Sequence, residues 1–163
     1  IGKGHGVDRV ATAVRSFGIE NFMVEIGGDL YTAGHNADGT PWHIGIESPV
    51  AGARSVYSVV DVSNLGMATS GDYRNYFEAD GTRYSHIIDP TTGRPITHNT
   101  VSASVLTENA MLADAWSTAM LVLGRDRGLE IAEAQNLAVV FIDRDGAEGY
   151  KTTESSRFSA LQA

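Results

Sequence analysis

The sequence predicts an α+β fold, in which helices pack on a mostly antiparallel sheet. Segments whose apolar residues recur at helical spacing alternate irregularly with many short segments that carry strand patterns, and this mixture is typical of a layered α+β arrangement. The chain has 163 residues with 42% hydrophobic content, which is enough to bury a substantial core as one unit. No internal repeat and no low-complexity linker divides it.

The first helix is predicted from an apolar stripe near the N terminus, and Gly18 ends it. The residues of the stripe recur at helical spacing and are Val7, Val10, Ala11, Val14 and Phe17. The preceding residues, IGKGHG, allow two interpretations. They form a glycine-rich anion-binding loop, in which Lys3 meets a phosphate, or a helix entry that needs the conformational freedom of glycine. Their spacing matches neither the Walker nor the dinucleotide fingerprint.

Two further helices are predicted later in the chain. One runs from about Glu108 to Leu123, with Gly124 just past its end, where glycine commonly ends a helix. We expect its face between Met111 and Leu123 to be buried. A short third helix is predicted over the sequence RGLEIAEAQ.

The strands are predicted from short runs of β-branched and aromatic residues, several of which alternate apolar with polar positions. These runs are NFMVEIGG, WHIGIES, SVYSVVDV, GMATSGDY, YSHIID and TVSASVLT. The segments LAVVFID and GYKTT predict a hairpin across RDGAE. Glycines Gly27 and Gly28, at the end of the first run, either let a ligand approach the backbone closely or only form a bulge.

Composition excludes several classes of function. The net charge is -8 with no block of lysines or arginines, which argues against a nucleic-acid or membrane-surface partner. The absence of cysteine excludes a disulfide framework and a thiolate metal site. No apolar run approaches the ~20 residues of a membrane span. The chain begins with IGKGHG, without an initiator Met or a signal peptide, so we expect a fragment or a processed piece of a longer protein.

The second helix carries a pattern that suits a hard metal ion. Asp114 and Thr118 are four residues apart and therefore lie on one helix face, with Ser117 beside it. A carboxylate with neighbouring hydroxyls offers the oxygen ligands that Mg²⁺ prefers. In the alternative interpretation the Asp is solvated and the hydroxyls bond back to a carbonyl one turn earlier. The surrounding residues are mostly apolar, however, and a buried carboxylate needs a partner.

The segment SHIIDPTTGRPI combines a histidine, an acid, two hydroxyls and a flexible glycine on one strand-to-turn element. We expect Asp89 and Thr92 to brace the turn through side-chain-to-backbone hydrogen bonds. Pro90, Gly93 and Pro95 fix its path. A lone histidine on a strand, here His86, is by itself more often a hydrogen-bonded structural residue than a catalytic one.

Six motifs together resemble the ApbE-type FAD:protein FMN transferases. They occur in the family's order and are KGHGVD, EIGGDL, PWHIGIESP, TSGDYRNYF, HIIDPTTGRPI and ADAWSTAMLVLG. The most specific element is the His-x-x-Asp-Pro-x-Thr-Gly turn followed by the Ala-Asp-x-x-x-Thr helix. The resemblance covers the chain from Ile1 to about Phe158. It identifies residues 1–163 as the C-terminal part of the domain, without the family's N-terminal part, which supplies part of the flavin pocket.

The resemblance implies a fold related to the tunnelling-fold enzymes and a Mg²⁺-dependent enzyme. Such enzymes move the FMN moiety of FAD onto a Thr or Ser hydroxyl of a target flavoprotein and release AMP. Their targets are subunits of membrane redox complexes. Members are often periplasmic lipoproteins of the inner membrane, held by an N-terminal lipid anchor that this chain does not contain.

The resemblance also implies roles for individual residues. The metal ligands are expected to be Asp114, Ser117 and Thr118, and position 117 is Asp in some relatives, so the Ser here removes one carboxylate. A further ligand in the family is a backbone carbonyl just before the first residues of this chain. The cofactor-binding residues are expected to be Lys3, Gly28, Asp29 and Ile88. His86 is the candidate for the group that orients or deprotonates the acceptor hydroxyl.

Two other functions stay open at this point. An FAD pyrophosphatase would use the same metal with water as the acceptor. A flavin-binding module without turnover would keep the pocket but not the metal. Release of AMP from FAD, with and without an acceptor peptide, distinguishes the three functions.

Overall fold

A computed structural model describes residues 1–50, 55–73, 76–79, 81–146 and 149–163. Within these residues the helices are α1 (Gly2–Ser16), α2 (Ala110–Ala134) and α3 (Ser156–Gln162). The first strands are β1 (Phe22–Ile26), β2 (Asp29–Ala33), β3 (Trp42–Glu47), β4 (Val56–Val62), β5 (Gly66–Gly71) and β6 (Tyr76–Ala79). The later strands are β7 (Thr82–Ser85), β8 (Ile88–Asp89), β9 (Arg94–Pro95), β10 (Thr100–Thr107), β11 (Ala138–Asp145) and β12 (Gly149–Glu154).

The centre of the fold is a six-stranded sheet in the order β1-β2-β5-β10-β11-β12, in which every neighbouring pair is antiparallel. Helix α2 packs against β5, β10 and β11 on one face. The hairpin β3–β4 and helix α3 contribute to the apolar cluster on the other face. Strand β10 is buried along nearly its whole length because it is covered on both faces. The predicted α+β class with a mostly antiparallel sheet is confirmed.

Helix α1 begins earlier than the apolar stripe indicates, so the residues IGKGHG are not an anion-binding loop ahead of it. Residues 2–6 already belong to its first turns. A Cβ at Gly4 would lie 2.2 Å from the carbonyl oxygen of Ala110, so glycine is needed here for close approach of α1 to α2. The buried face consists of Val7 and Ala11, with Val14 packed against it. Phe17, predicted within this face, is 82% exposed just past the end of the helix.

The side chain of Asp8 connects α1 to the start of α2. Its two carboxylate oxygens accept hydrogen bonds from the backbone N–H groups of Ala110 (2.8 Å) and Met111 (2.9 Å). Asn109, the N-cap of α2, accepts a third from the N–H of Leu112 at 2.9 Å. The first N–H groups of a helix have no partner within it, so these bonds fix α2 at the end that faces α1.

Helix α2 is longer than predicted, and Gly124 interrupts it instead of ending it. Gly124 has φ +72° and ψ 170°, which are not helical angles, and a second helical segment follows at once. The prediction of a helix end at Gly124 was therefore right about the break in the helix. It was wrong in separating the next helix from it, since helical residues continue directly after Gly124. Ala113, Met120 and Leu121 are fully buried, as expected for this face.

The predicted strand YSHIID is two strands. Strand β7 ends at Ser85, and β8 begins at Ile88 and pairs with β9. His86 and Ile87 lie between the two strands, outside both.

The turn that follows β8 is braced as predicted. Asp89 Oδ1 accepts from the Thr91 N–H (2.8 Å) and hydroxyl (2.7 Å), and Thr92 Oγ1 donates to Asp89 Oδ2 at 3.3 Å. These bonds, led by that of the Thr91 side chain, lower the pKa of the Asp89 carboxyl. Gly93 has φ +67°, a region that favours glycine.

Strands β11 and β12 form the hairpin expected from LAVVFID and GYKTT. Residues 147–148 of its loop, and residues 74–75 of the TSGDYRNYF motif, lie outside the described ranges. Across the ranges given above, no helix combines the length and the hydropathy needed to cross a membrane.

Candidate functional site

A cavity of about 700 Å³ opens where several element ends meet. Its walls come from the start of α1, the turn between β1 and β2, strand β3, the end of β5, the segment after β7 and the first turns of α2. The lining residues are Lys3, Glu25, Gly27, Gly28, Asp29, Gly45, Glu47, Thr69, Ser70, Gly71, Tyr73, His86, Ile87, Asp114 and Thr118.

Asp114 lies on the wall where α1 and α2 are closest. Its Oδ2 accepts a hydrogen bond from the Gly4 N–H at 3.0 Å. Burial raises the pKa of Asp114, and the hydrogen bond from the Gly4 N–H opposes this rise. Because Gly4 lies in the first turn of α1, the carboxylate is held at a helix N terminus, which favours its ionised form.

Asp29 opens β2 and is only 2% exposed. Lys3 Nζ donates to Asp29 Oδ1 at 3.1 Å and to the carbonyl oxygen of Gly27 at 3.0 Å. Asp29 Oδ2 is buried and makes no hydrogen bond within the described part of the chain. Burial raises the pKa of Asp29 to about 6 despite the opposing effect of Lys3, and the neighbouring charge of Asp114 adds to the rise.

The glycine pair ahead of Asp29 forms a two-residue hairpin turn, because Ile26 pairs with Asp29 across it. Gly27 has φ +58° and Gly28 φ +94°, and positive φ at both central positions is typical of the turns that suit a hairpin. Both residues also line the cavity, so the turn presents backbone without side chains to a ligand. The bulge interpretation is therefore replaced by a turn that permits close approach.

The hydroxyls of α2 lie at different depths. Ser117 Oγ donates to the carbonyl oxygen of Asp114 at 3.0 Å, and Thr118 Oγ1 donates to the same oxygen at 3.2 Å. Thr118 lines the cavity, whereas Ser117 is 1% exposed and lies behind the wall. Both hydroxyls therefore follow the back-bonding alternative that the sequence left open, and Thr118 also faces the cavity.

The structure brings His86 into the same cavity but places Ile88 differently. His86 and Ile87 line the wall between β7 and β8. Ile88 is 48% exposed, and its backbone is in the β8–β9 pair. The isoleucine of HIID that lines the cavity is thus Ile87, while Ile88, the expected FAD contact, is not among the described lining residues.

Besides Ile87 and the glycines Gly45 and Gly71, the sequence did not identify five described residues that line the cavity, namely Glu25, Glu47, Thr69, Ser70 and Tyr73. Their signal was present in the EIGGDL, PWHIGIESP and TSGDYRNYF motifs, but no spacing rule distinguishes them from ordinary strand residues. A Cβ at Gly71 would lie 2.4 Å from the Tyr73 ring, so glycine lets that ring fold back against β5. The Tyr73 hydroxyl then donates to Glu47 Oε2 at 3.3 Å.

The cavity is acidic and rich in oxygen donors. Among the described residues, four carboxyl groups line the cavity, together with one lysine, Lys3. Within the residues described, no three His, Asp or Glu side chains come together as a metal-binding group. A hard cation here would combine the Asp114 carboxylate with hydroxyl oxygens. This set fits Mg²⁺, which takes one or two carboxylates and leaves its other positions to water and substrate phosphates.

Comparison with known proteins gives one consistent family. The sequence model of the ApbE family matches residues 1–141. A protein named FAD:protein FMN transferase from Vibrio cholerae is 51% identical over 158 residues, which are 97% of this chain and 47% of that protein. One of the same name from Haemophilus influenzae is 49% identical over 99% of this chain and 46% of its own length.

The solved structures agree with the sequence relatives. The flavin transferase ApbE from Vibrio cholerae superposes with a TM-score of 0.86 at 48% identity, over 99% of this chain and 50% of that one. An ApbE protein from Thermotoga maritima gives a TM-score of 0.83 at 32% identity, over 99% and 51%. The chain therefore spans about half the length of the relatives it matches.

The raised pKa of Asp29 predicts a stability change with pH. The pKa of Asp29 is about 6 in the folded protein and 3.8 in the unfolded chain, so the folded state binds the proton more tightly. The stabilisation from this proton is complete below pH 3.8 and is lost as the pH rises through about 6. In metal-free buffer, the free energy of unfolding should fall over this window relative to that of Asp29→Asn, which has no proton to release. Urea unfolding at a series of pH values measures it. Parallel pH curves for the two proteins would contradict the assigned pKa.

Proposed function

Because the chain belongs to the ApbE family, we propose that the protein containing it transfers FMN from FAD to a Thr or Ser hydroxyl of a target flavoprotein and releases AMP. The observation that carries this proposal is one cavity that joins a lysine, an ionised carboxylate, hydroxyl oxygens and a histidine from distant parts of the chain. The names of the relatives support flavin transfer. The site chemistry supports a reaction at phosphorus.

The charge of the cavity supports a divalent cation as part of the active enzyme. A pyrophosphate is anionic, and an anion entering a wall of four carboxyls would be repelled unless positive charge is added. We propose that Asp114 and Thr118 hold Mg²⁺, with other positions left to water and to the pyrophosphate. When bound, the metal neutralises charge on the phosphates and stabilises the leaving AMP.

Binding of FAD is proposed to use the turn between β1 and β2. Lys3 Nζ already lies within hydrogen-bond distance of Asp29 and the Gly27 carbonyl, so its charge is held at the cavity wall. Gly28 permits close approach of the nucleotide to the backbone, and Asp29 keeps Lys3 in place. We propose that the backbone of HIID contributes a further contact, at Ile88 as the family resemblance implies or at Ile87 as the cavity wall favours.

His86 is proposed to act on the acceptor hydroxyl. It orients the hydroxyl oxygen toward the phosphorus of the FMN phosphate and takes the proton as the new P–O bond forms. The P–O bond to the AMP phosphate breaks in the same displacement, so AMP leaves with the bonding electrons. The imidazole then returns its proton to solvent. Its exposed position at the cavity wall gives the acceptor chain access.

The remaining expectations from the resemblance complete the proposal. We propose that residues 1–163 are the C-terminal part of the domain and that the additional length found in relatives supplies another wall of the flavin pocket. The acceptors are proposed to be subunits of membrane redox complexes. The full-length protein is proposed to be a periplasmic lipoprotein of the inner membrane, anchored through a segment outside this chain.

The reaction class is tested by AMP release from FAD with Mg²⁺ in the full-length protein. The proposal predicts AMP release that depends on an acceptor peptide containing a Thr or Ser, with flavin bound covalently to that peptide afterwards. Equal AMP release without the peptide would identify an FAD pyrophosphatase. FAD binding with no AMP in either case would identify a binding module.

His86→Ala should lower the transfer rate at saturating FAD by about 10²–10⁴-fold, the usual contribution of a general base. Metal affinity should stay close to that of the parent, since His86 lies on a different element from Asp114. Lys3→Ala is the comparison variant and should mainly weaken FAD binding. Rates are measured against FAD and Mg²⁺ concentration. If His86→Ala reaches the parent's rate at saturation, the catalytic assignment is wrong.

A further inference from the structure

Three hydroxyls form a small cluster where β5 meets α2. Ser70, near the end of β5, contacts Ser117 Oγ at 2.9 Å and Thr118 Oγ1 at 3.2 Å. Ser117 and Thr118 in turn both donate to the Asp114 carbonyl oxygen, at 3.0 and 3.2 Å. The cluster therefore has four short polar contacts.

A count of protons shows that the cluster cannot satisfy all four contacts. Each hydroxyl has one proton to donate, and a carbonyl oxygen has none. If Ser117 and Thr118 give their protons to the Asp114 carbonyl, Ser70 has one proton for two oxygens. The shorter contact, to Ser117, takes it. Ser70 Oγ and Thr118 Oγ1 then face each other at 3.2 Å without a proton between them.

The neighbouring hydroxyl pair has no such deficit. Thr69 Oγ1 and Ser104 Oγ contact each other at 2.7 Å, so one proton satisfies the contact. Ser104 is also as deeply buried as Ser117 and does not line the cavity. Of these two neighbouring hydroxyl clusters, only the one beside Asp114 therefore has more contacts than protons.

Two oxygens whose lone pairs face each other can both coordinate a cation that lies on the cavity side of the pair. Ligands at right angles around Mg²⁺, each about 2.1 Å from the metal, lie about 3.0 Å apart. The separation of Ser70 Oγ and Thr118 Oγ1 is close to this value. Both residues line the cavity together with Asp114, whereas Ser117 does not.

We propose that Ser70 supplies a side-chain ligand of the metal site, and that Ser117 is a positioning residue that directs the Ser70 proton away from the metal. This inference rests on the proposed function, because it presumes a metal beside Asp114. The metal site of this chain is thereby built from two elements.

The test is Mn²⁺ binding to the full-length protein without FAD, followed by electron paramagnetic resonance, so that the readout does not depend on turnover. Ser70→Ala should weaken Mn²⁺ binding by about tenfold, as expected when one ligand oxygen must be replaced by water. Ser117→Ala should have a smaller effect, because water or Thr118 can accept the Ser70 proton. Ser104→Ala is the matched control and should bind Mn²⁺ like the parent.

Each contrary outcome identifies which idea fails. Parent-like Mn²⁺ affinity in Ser70→Ala would overturn the assignment of Ser70. If Asp114→Asn loses Mn²⁺ binding in the same experiment, the proposal of a metal site at Asp114 still holds. Weaker FAD binding with unchanged Mn²⁺ affinity in Ser70→Ala would make it a phosphate contact and also overturn the inference. If neither the parent nor any variant binds Mn²⁺, both the metal site and the role of Ser70 are overturned. Thermal midpoints confirm that the variants are folded.

Discussion

The close approach of α1 to α2 at Gly4 is the constraint on which the site depends. The backbone of α1 comes so near Ala110 that a Cβ has no room, and this proximity allows the Gly4 N–H to reach Asp114 Oδ2. Asp8 secures the same contact one turn later through the first N–H groups of α2. A longer side chain at Gly4 would separate the helices and leave the Asp114 carboxylate with fewer partners in a buried place, which is unfavourable for a charged group.

The chemistry of the cavity follows from the charges that this packing brings together. The Gly4 N–H favours the ionised form of Asp114, while burial beside Lys3 raises the pKa of Asp29, so that Asp29 keeps its proton to higher pH. Such a wall binds an anionic nucleotide only when positive charge is added. Lys3 and a divalent cation would supply this charge together.

Sequence alone predicted the helices and five of the six strands of the main sheet, because periodic apolar residues dominate their packing, but it did not predict β2. It placed Asp114 and Thr118 on one face because helical spacing fixes that relation. It misplaced the start of α1 because glycine is a weak helix former, and only contact with α2 explains a glycine inside the helix. The mistake shows that local propensity was overridden by a tertiary contact.

The site was predicted less completely than the fold. Ser70 could not be identified from the sequence, because a serine in a strand of small residues has no distinguishing pattern. Its contacts with Ser117 and Thr118 form only when β5 packs against α2. Similarly, the backbone break between β7 and β8 decides whether Ile87 or Ile88 faces the cavity. Motifs that resemble a family locate the cavity residues along the chain, but the depth of each side chain is set by packing between distant segments.

The most direct measurement of the central constraint is the urea-unfolding free energy of Gly4→Ala, compared with that of Gly2→Ala. Both changes replace a glycine in the first turn of α1, but a Cβ at Gly2 has no atom within 4 Å. We expect Gly4→Ala to lose about 1–3 kcal/mol, as is usual for overpacking, and Gly2→Ala to be neutral or slightly stabilised. Equal stability of the two variants would contradict the claim that contact between α1 and α2 at Gly4 organises the site.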